Sequence, residues 1–171
     1  MQSIDEDELY KEPIELLLYC KEKKIDLNKP IKIIRWGIPY EELTIATPLL
    51  LHSNSYDYIK IFIENGFNVN ITNETKYNSF FKELLNPSSL EELKLCLPYF
   101  NLRKNRELMW HVYYWLRRPN NYGDDFKEIL QELISKFNQK TWKRNLRRFT
   151  TEKHYTATTA SDFFDSYPML Y

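Results

Sequence analysis

The sequence predicts an all-α fold: a short α-solenoid of stacked helix pairs, closed by a basic C-terminal capping helix and followed by an extended tail. Three observations predict it. Apolar residues recur at helical spacing, above all in "DDFKEILQELISKF", where Phe126, Ile129, Leu130, Leu133 and Phe137 fall at i, i+3, i+4, i+7 and i+11. Strand alternation is almost absent. A short phrase also recurs after several helices: "IDLN" at 25–28, "FNVN" at 67–70, "FNLR" at 100–103 and, more faintly, "FNQK" at 137–140, at intervals of 42, 33 and 37 residues. A period in this range marks repeat architectures.

The elements follow in order. The acidic run "DEDE" at 5–8 reads as carboxylates that favour a helix start and stay solvated, rather than as a metal site. "PIELLLYCKEKK" opens with Pro13 in a first helical turn. Residues 29–39, "KPIKIIRWGIP", are the one place where a short extended piece is plausible, and loop, strand and helix all stay open for 29–46. "YDYIKIFIENG" is stopped by Gly66, "SSLEELKLCL" is opened by Ser88 or Ser89 and closed by Pro98, and "NRELMWHVYYWLRR" ends before Pro119. Asp124 is placed to cap the next helix. A last helix begins near Gln139.

The stretch "ATPLLLHSNSYDYIKIFIENGFNVNITNETKYNSFF", residues 46–81, resembles one ankyrin repeat running into the start of the next. Thr47, Pro48, Leu49 and Leu50 stand where that family opens its first helix, and "IKIFIENGFNVN" where it places the second helix, the terminating glycine and the turn. The family's His directly after T-P-L is displaced here to His52, and its small alanines are missing. The resemblance spans residues 13–137, specific in one repeat and degenerate in the others. It implies an ankyrin-like helical repeat domain over 1–149, with the tail at 150–171.

Alanine occurs only at 46, 157 and 160 and glycine only at 37, 66 and 123, while Lys, Asn, Ile, Tyr and Phe abound. This usage fits coding pressure from an A+T-rich genome. Cys20 and Cys96 sit among apolar residues on helical segments and read as two reduced, buried thiols. No apolar run approaches the roughly eighteen residues a membrane span needs, and the acidic N-terminus is unlike a targeting peptide. The chain therefore reads as cytoplasmic or nuclear, the cytoplasm first.

A formal net charge of zero hides an asymmetry. Residues 1–100 carry 11 basic and 16 acidic side chains, residues 101–154 carry 13 and 6, and residues 155–171 add only Asp162 and Asp165. Such asymmetry points to a polyanionic partner for the basic part. Its centre is "KTWKRNLRRF", residues 140–149. On a helix, Lys140, Lys143, Arg144 and Arg147 fall at i, i+3, i+4 and i+7 with Arg148 beside them, while Trp142, Leu146 and Phe149 share another face. Arg103, Lys104, Arg106, Arg117 and Arg118 extend the patch. Cations of this kind contact phosphates, and Trp142 or Phe149 could stack on an exposed base. A solvated basic face without a ligand is the plain alternative, and an anionic membrane surface a weaker one, because the apolar face is needed to close the stack.

No phosphate-binding glycine loop, zinc-protease motif or nucleophile elbow is present, and His52, His111 and His154 lie far apart. The chain thus reads as non-catalytic, with no cofactor, metal or small-molecule substrate. After the polar strap "TTEKHYTATTASD", the aromatic Phe163, Phe164 and Tyr167, then Pro168, Met169, Leu170 and Tyr171, form a hook suited to entering a pocket or channel. Repeat module, basic cap and tail together predict a factor that docks on a large RNA–protein assembly, the ribosome above all, with its tail in a functional site. That design is similar by analogy to ribosome hibernation factors. The alternative is an ankyrin-repeat adaptor or effector that binds a single protein partner.

Overall fold

The computed structural model describes residues 2–71, 80–102, 105–118 and 122–151. The chain divides into two compact units, Met1–Phe100 and Asn101–Tyr171. That boundary is also a boundary of charge: the first unit has 11 basic and 16 acidic residues, net −5, and the second 13 and 8, net +5.

The first unit overturns the all-α expectation. β1 (Ser3–Asp5), β2 (Ile31–Arg35) and β3 (Ile38–Leu43) form a three-stranded mixed sheet in the order β1-β2-β3. β1 runs parallel to β2, with Ile4 opposite Ile33, and β2 runs antiparallel to β3, with Ile31 opposite Leu43 and Arg35 opposite Ile38. The sequence hid this because two isoleucines stand side by side in β2 and β3 carries an extra residue: Ile33 pairs with Glu41, but the next residue, Ile34, pairs with Pro39. Trp36 and Gly37 make the connecting turn, both at positive φ (53° and 76°), as a two-residue hairpin with the strands' own twist requires. Ile4, Ile31, Ile33 and Leu43 bury the inner face.

The expected solenoid of helix pairs falls with it, because the short partner helices are single turns. α2 (Ala46–Leu49) has four residues and α4 (Phe80–Leu84) five, against ten in α1 (Pro13–Glu22) and in α3 (Ser55–Glu64). α1 packs on α3, and α3 on α5 (Leu90–Cys96), through Leu16, Cys20, Ile59, Phe62, Leu93 and Cys96, all essentially buried. α1 and α3 end alike. Lys24 (φ 54°) and Gly66 (φ 94°) take the left-handed position after the helix. Ile25 and Phe67 then donate back to the carbonyls of Cys20 and Phe62, at 2.8 and 2.9 Å, which is the Schellman termination. Lys24 holds this conformation without being glycine.

In the second unit, α6 (Arg106–Leu116), α7 (Asp124–Lys136) and α8 (Gln139–Thr151) pack with α6 between the other two. Asn105 caps α6 by accepting the N–H of Leu108 at 3.0 Å. α7 starts one residue earlier than its sequence suggests: Gly123 is the cap, and Asp124 and Asp125 lie in the first turn, where their charge favours the helix dipole. Phe126, Ile129, Leu130 and Leu133 bury the predicted face. α8 runs to Thr151, and the tail from residue 152 onward lies outside the described residues.

Candidate nucleic-acid interface

α8 owes its position to the residues just before it. Asn138 accepts the Thr141 N–H on its Oδ1 at 3.0 Å, the N-cap bond that fixes the first turn. Phe137, immediately before the cap, packs on Trp142 with ring centroids 5.2 Å apart, a hydrophobic staple that sets the angle at which α7 turns into α8. Trp142, Asn145 and Phe149 are buried and Leu146 half-buried, whereas Lys140, Lys143, Arg144, Arg147 and Arg148 are all exposed. The cation face expected from spacing is thus presented outward by a helix pinned along its other side.

Electrostatics make that face unusual. α8 carries no acidic residue, and Lys140, Lys143 and Arg144 make no ion pair with any described residue. Lys140 and Arg144, like charges four apart, repel at a cost of a few tenths of a kcal/mol. An external polyanion relieves that repulsion.

The cations at the two ends of α6 differ in kind, because each described one is held against rings. Arg106 stands 5.9 Å from the Phe149 ring, Arg117 5.5 Å from Tyr113, and Arg118 4.3 and 4.7 Å from Tyr114 and Trp115. Arg117 also donates to the Tyr113 hydroxyl. Phe149 lies against Trp110 (5.1 Å) and Tyr113 (5.5 Å), so Arg106 and Arg117 flank one aromatic cluster that fastens α8 to α6. Arg103, Lys104 and the hook residues Phe163, Phe164, Tyr167, Pro168, Met169, Leu170 and Tyr171 lie outside the described residues.

The stacking role first suggested for Trp142 or Phe149 does not survive, since they are 5% and 1% exposed. Sequence reasoning missed Trp110 and Tyr114, two half-buried rings in line with Arg106 and Arg118. The signal was the four-residue spacing of Arg106, Trp110, Tyr114 and Arg118. It also missed Asn145, a polar residue that points inward and donates its amide to Met109 Sδ at 3.2 Å.

The first unit offers little chemistry. A cleft of about 250 Å³ lies between the ends of α1 and α3, lined by Cys20, Lys21, Asp26, Asn28 and Gly66 among others. Both cysteines are free and buried, and burial pushes the Cys20 thiol up to about 12 and that of Cys96 higher still. His52 is half-buried in the turn after α2, stacked on Tyr10 at 5.0 Å, and burial lowers its pKa. Among the described residues, no three His, Cys, Asp or Glu side chains gather as metal ligands, and no helix is long and apolar enough to cross a membrane. Comparison of the chain with models of protein families, with curated proteins and with solved structures finds no match.

Proposed function

We propose that this is a non-catalytic, cytoplasmic binding protein that docks on RNA within a large RNA–protein assembly such as the ribosome, with its C-terminal hook entering a site on the same assembly. The observation that carries the reading is the α8 face. Five exposed cations without an acid among them are held on one rigid, doubly anchored helix. Arginine and lysine on such a face neutralise phosphates and release counterions, so binding must weaken steeply with salt. About five phosphate contacts imply roughly a hundredfold loss between about 50 and 200 mM salt.

The test is co-sedimentation with ribosomes at both salt concentrations, for the wild type and for Lys143→Glu with Arg147→Glu. The variant is expected to lose binding and to show a shallower salt slope. Unchanged co-sedimentation of the charge-reversed protein sinks the reading.

A protein-binding adaptor is the second reading, and a separate observation favours it. Trp36, at the tip of the hairpin in the acidic unit, is 93% exposed and holds φ at 53°, a conformation costly for a bulky side chain. Retention of partner binding after deletion of residues 152–171 together with the α8 charge reversal would favour it.

A further inference from the structure

The outer side of α6 interleaves cations with rings. Arg106, Trp110 and Tyr114 succeed one another at four-residue steps on the side of α6 opposite the buried Leu108, Met109 and Val112, so these neighbours stand about 6 Å apart along the surface, and Arg118 follows just past the helix end at Leu116. Trp110 and Tyr114 are half-buried, not enclosed. Arg118 stands over Tyr114, and Arg106 over the Phe149 ring that also meets Trp110. An arginine backed by a ring, one turn from a second aromatic side chain, is the kind of surface on which unpaired bases stack. Bases inside a duplex are already stacked and cannot reach it, while the +5 charge of this unit draws phosphates of either form alike.

We propose that the stripe Arg106, Trp110, Tyr114 and Arg118 stacks unpaired nucleotides, so that the RNA is held at a loop, bulge or single-stranded segment and not along regular duplex. The inference rests on the reading of α8 as an RNA-binding face. α8 supplies sequence-independent, salt-sensitive backbone contacts, and the α6 stripe supplies the preference for unpaired bases.

Two labelled probes test it: a single-stranded RNA of about ten nucleotides and the same strand in a blunt duplex, titrated at low salt. The full-length wild type is expected to bind the single strand at least about tenfold more tightly. Tyr114→Leu should remove most of that preference and leave the duplex affinity unchanged, and Tyr114→Phe should keep it. Lys143→Glu with Arg147→Glu should weaken both probes. Should Tyr114→Leu fail to fold, Arg118→Gln leaves the rings in place and should lose the preference instead. Equal wild-type affinity for the two probes, or a preference that persists in the folded stripe variant, overturns the stripe and leaves the α8 reading standing. Failure of the wild type to bind either probe overturns both.

Discussion

Asn28 and Asn68 are joined side chain to main chain: Oδ1 of Asn28 accepts the Asn68 N–H at 2.6 Å, while its Nδ2 donates to the Gly66 carbonyl at 2.9 Å. The next turn repeats the second bond, for Nδ2 of Asn70 donates to the Tyr99 carbonyl at 2.9 Å. Gly66 directly precedes Phe67, and Tyr99 directly precedes Phe100. The fourth residue of one turn phrase therefore reaches the residue before the next phrase, twice in succession. Asn28→Ala should lower the stability of the chain by about 1 kcal/mol, because two modest bonds are lost at a solvated site. Asn28→Asp keeps the acceptor and loses the donor, so its loss should be smaller. Urea unfolding monitored by circular dichroism measures both, and an Asn28→Ala protein as stable as wild type would show that the turns are not energetically joined.

The two thiols should report on the same packing. Cys20 and Cys96 are buried in α1 and α5, and desolvation disfavours the thiolate that alkylating reagents attack. Labelling with iodoacetamide at neutral pH should be negligible in the folded protein and complete in urea, with a midpoint matching the optical transition. The sign of the pH dependence follows. The folded Cys20 pKa, about 12, lies above its ordinary value of 9.0, so the contribution is whole below pH 9.0 and is lost as pH rises past it, where the unfolded thiol ionises. Rapid labelling without unfolding would contradict the burial of both side chains.

The helices were legible in the sequence because each carries both a 3.6-residue period and its own punctuation: Pro13 for α1, Gly66 for α3, and the unbroken stripe from Phe126 to Phe137 for α7. The sheet was not. β1 is three residues long and its partner lies almost thirty residues away, so no local window contains the pair, and the extra residue in β3 breaks that strand's alternation. The α8 cation face followed from spacing alone, since exposed charge needs no partner to be recognised. The burial of Asn145 and the aromatic seats of Arg106, Arg117 and Arg118 did not, because a side chain's neighbours on another helix are set by packing.

Arg35 joins the end of β2 to the 3-10 helix Glu6–Tyr10: its Nε donates to Glu6 Oε2 at 2.6 Å and its Nη2 to Oε1. The hydrogen bond to Arg35 chiefly, with its charge adding and partial desolvation opposing, holds the Glu6 carboxyl below its ordinary value of 4.5. A lowered folded pKa means that the unfolded chain binds more protons between the two values. The stabilisation is present above pH 4.5 and is lost as pH falls through the lowered value. Arg35→Met should therefore be less stable than wild type by a constant margin above about pH 5, with the gap closing in acid. Thermal melts across that range read it directly, and a gap that widens in acid would reverse the assignment.

Asn145 is the one buried polar residue among the described side chains of α8, 4% exposed, and its amide donates to a thioether at 3.2 Å. Sulfur is a weak acceptor, so this bond returns little of what dehydrating an amide costs. Leucine of similar size places a methyl group against Met109, Trp142 and Phe149 stay where they are, and the sulfur left without a donor loses almost nothing. Asn145→Leu should thus be neutral or raise stability by up to about 1 kcal/mol, while Asn145→Asp, which brings a charge inside, should cost several times that. The exposed cations are untouched in both variants, so on the proposed reading of α8 the leucine variant should keep the wild type's affinity for an RNA probe. A leucine variant destabilised by more than about 1 kcal/mol would mean that the amide fixes the seating of α8 on α6, and on the same proposed reading its affinity for an RNA probe should then fall in step.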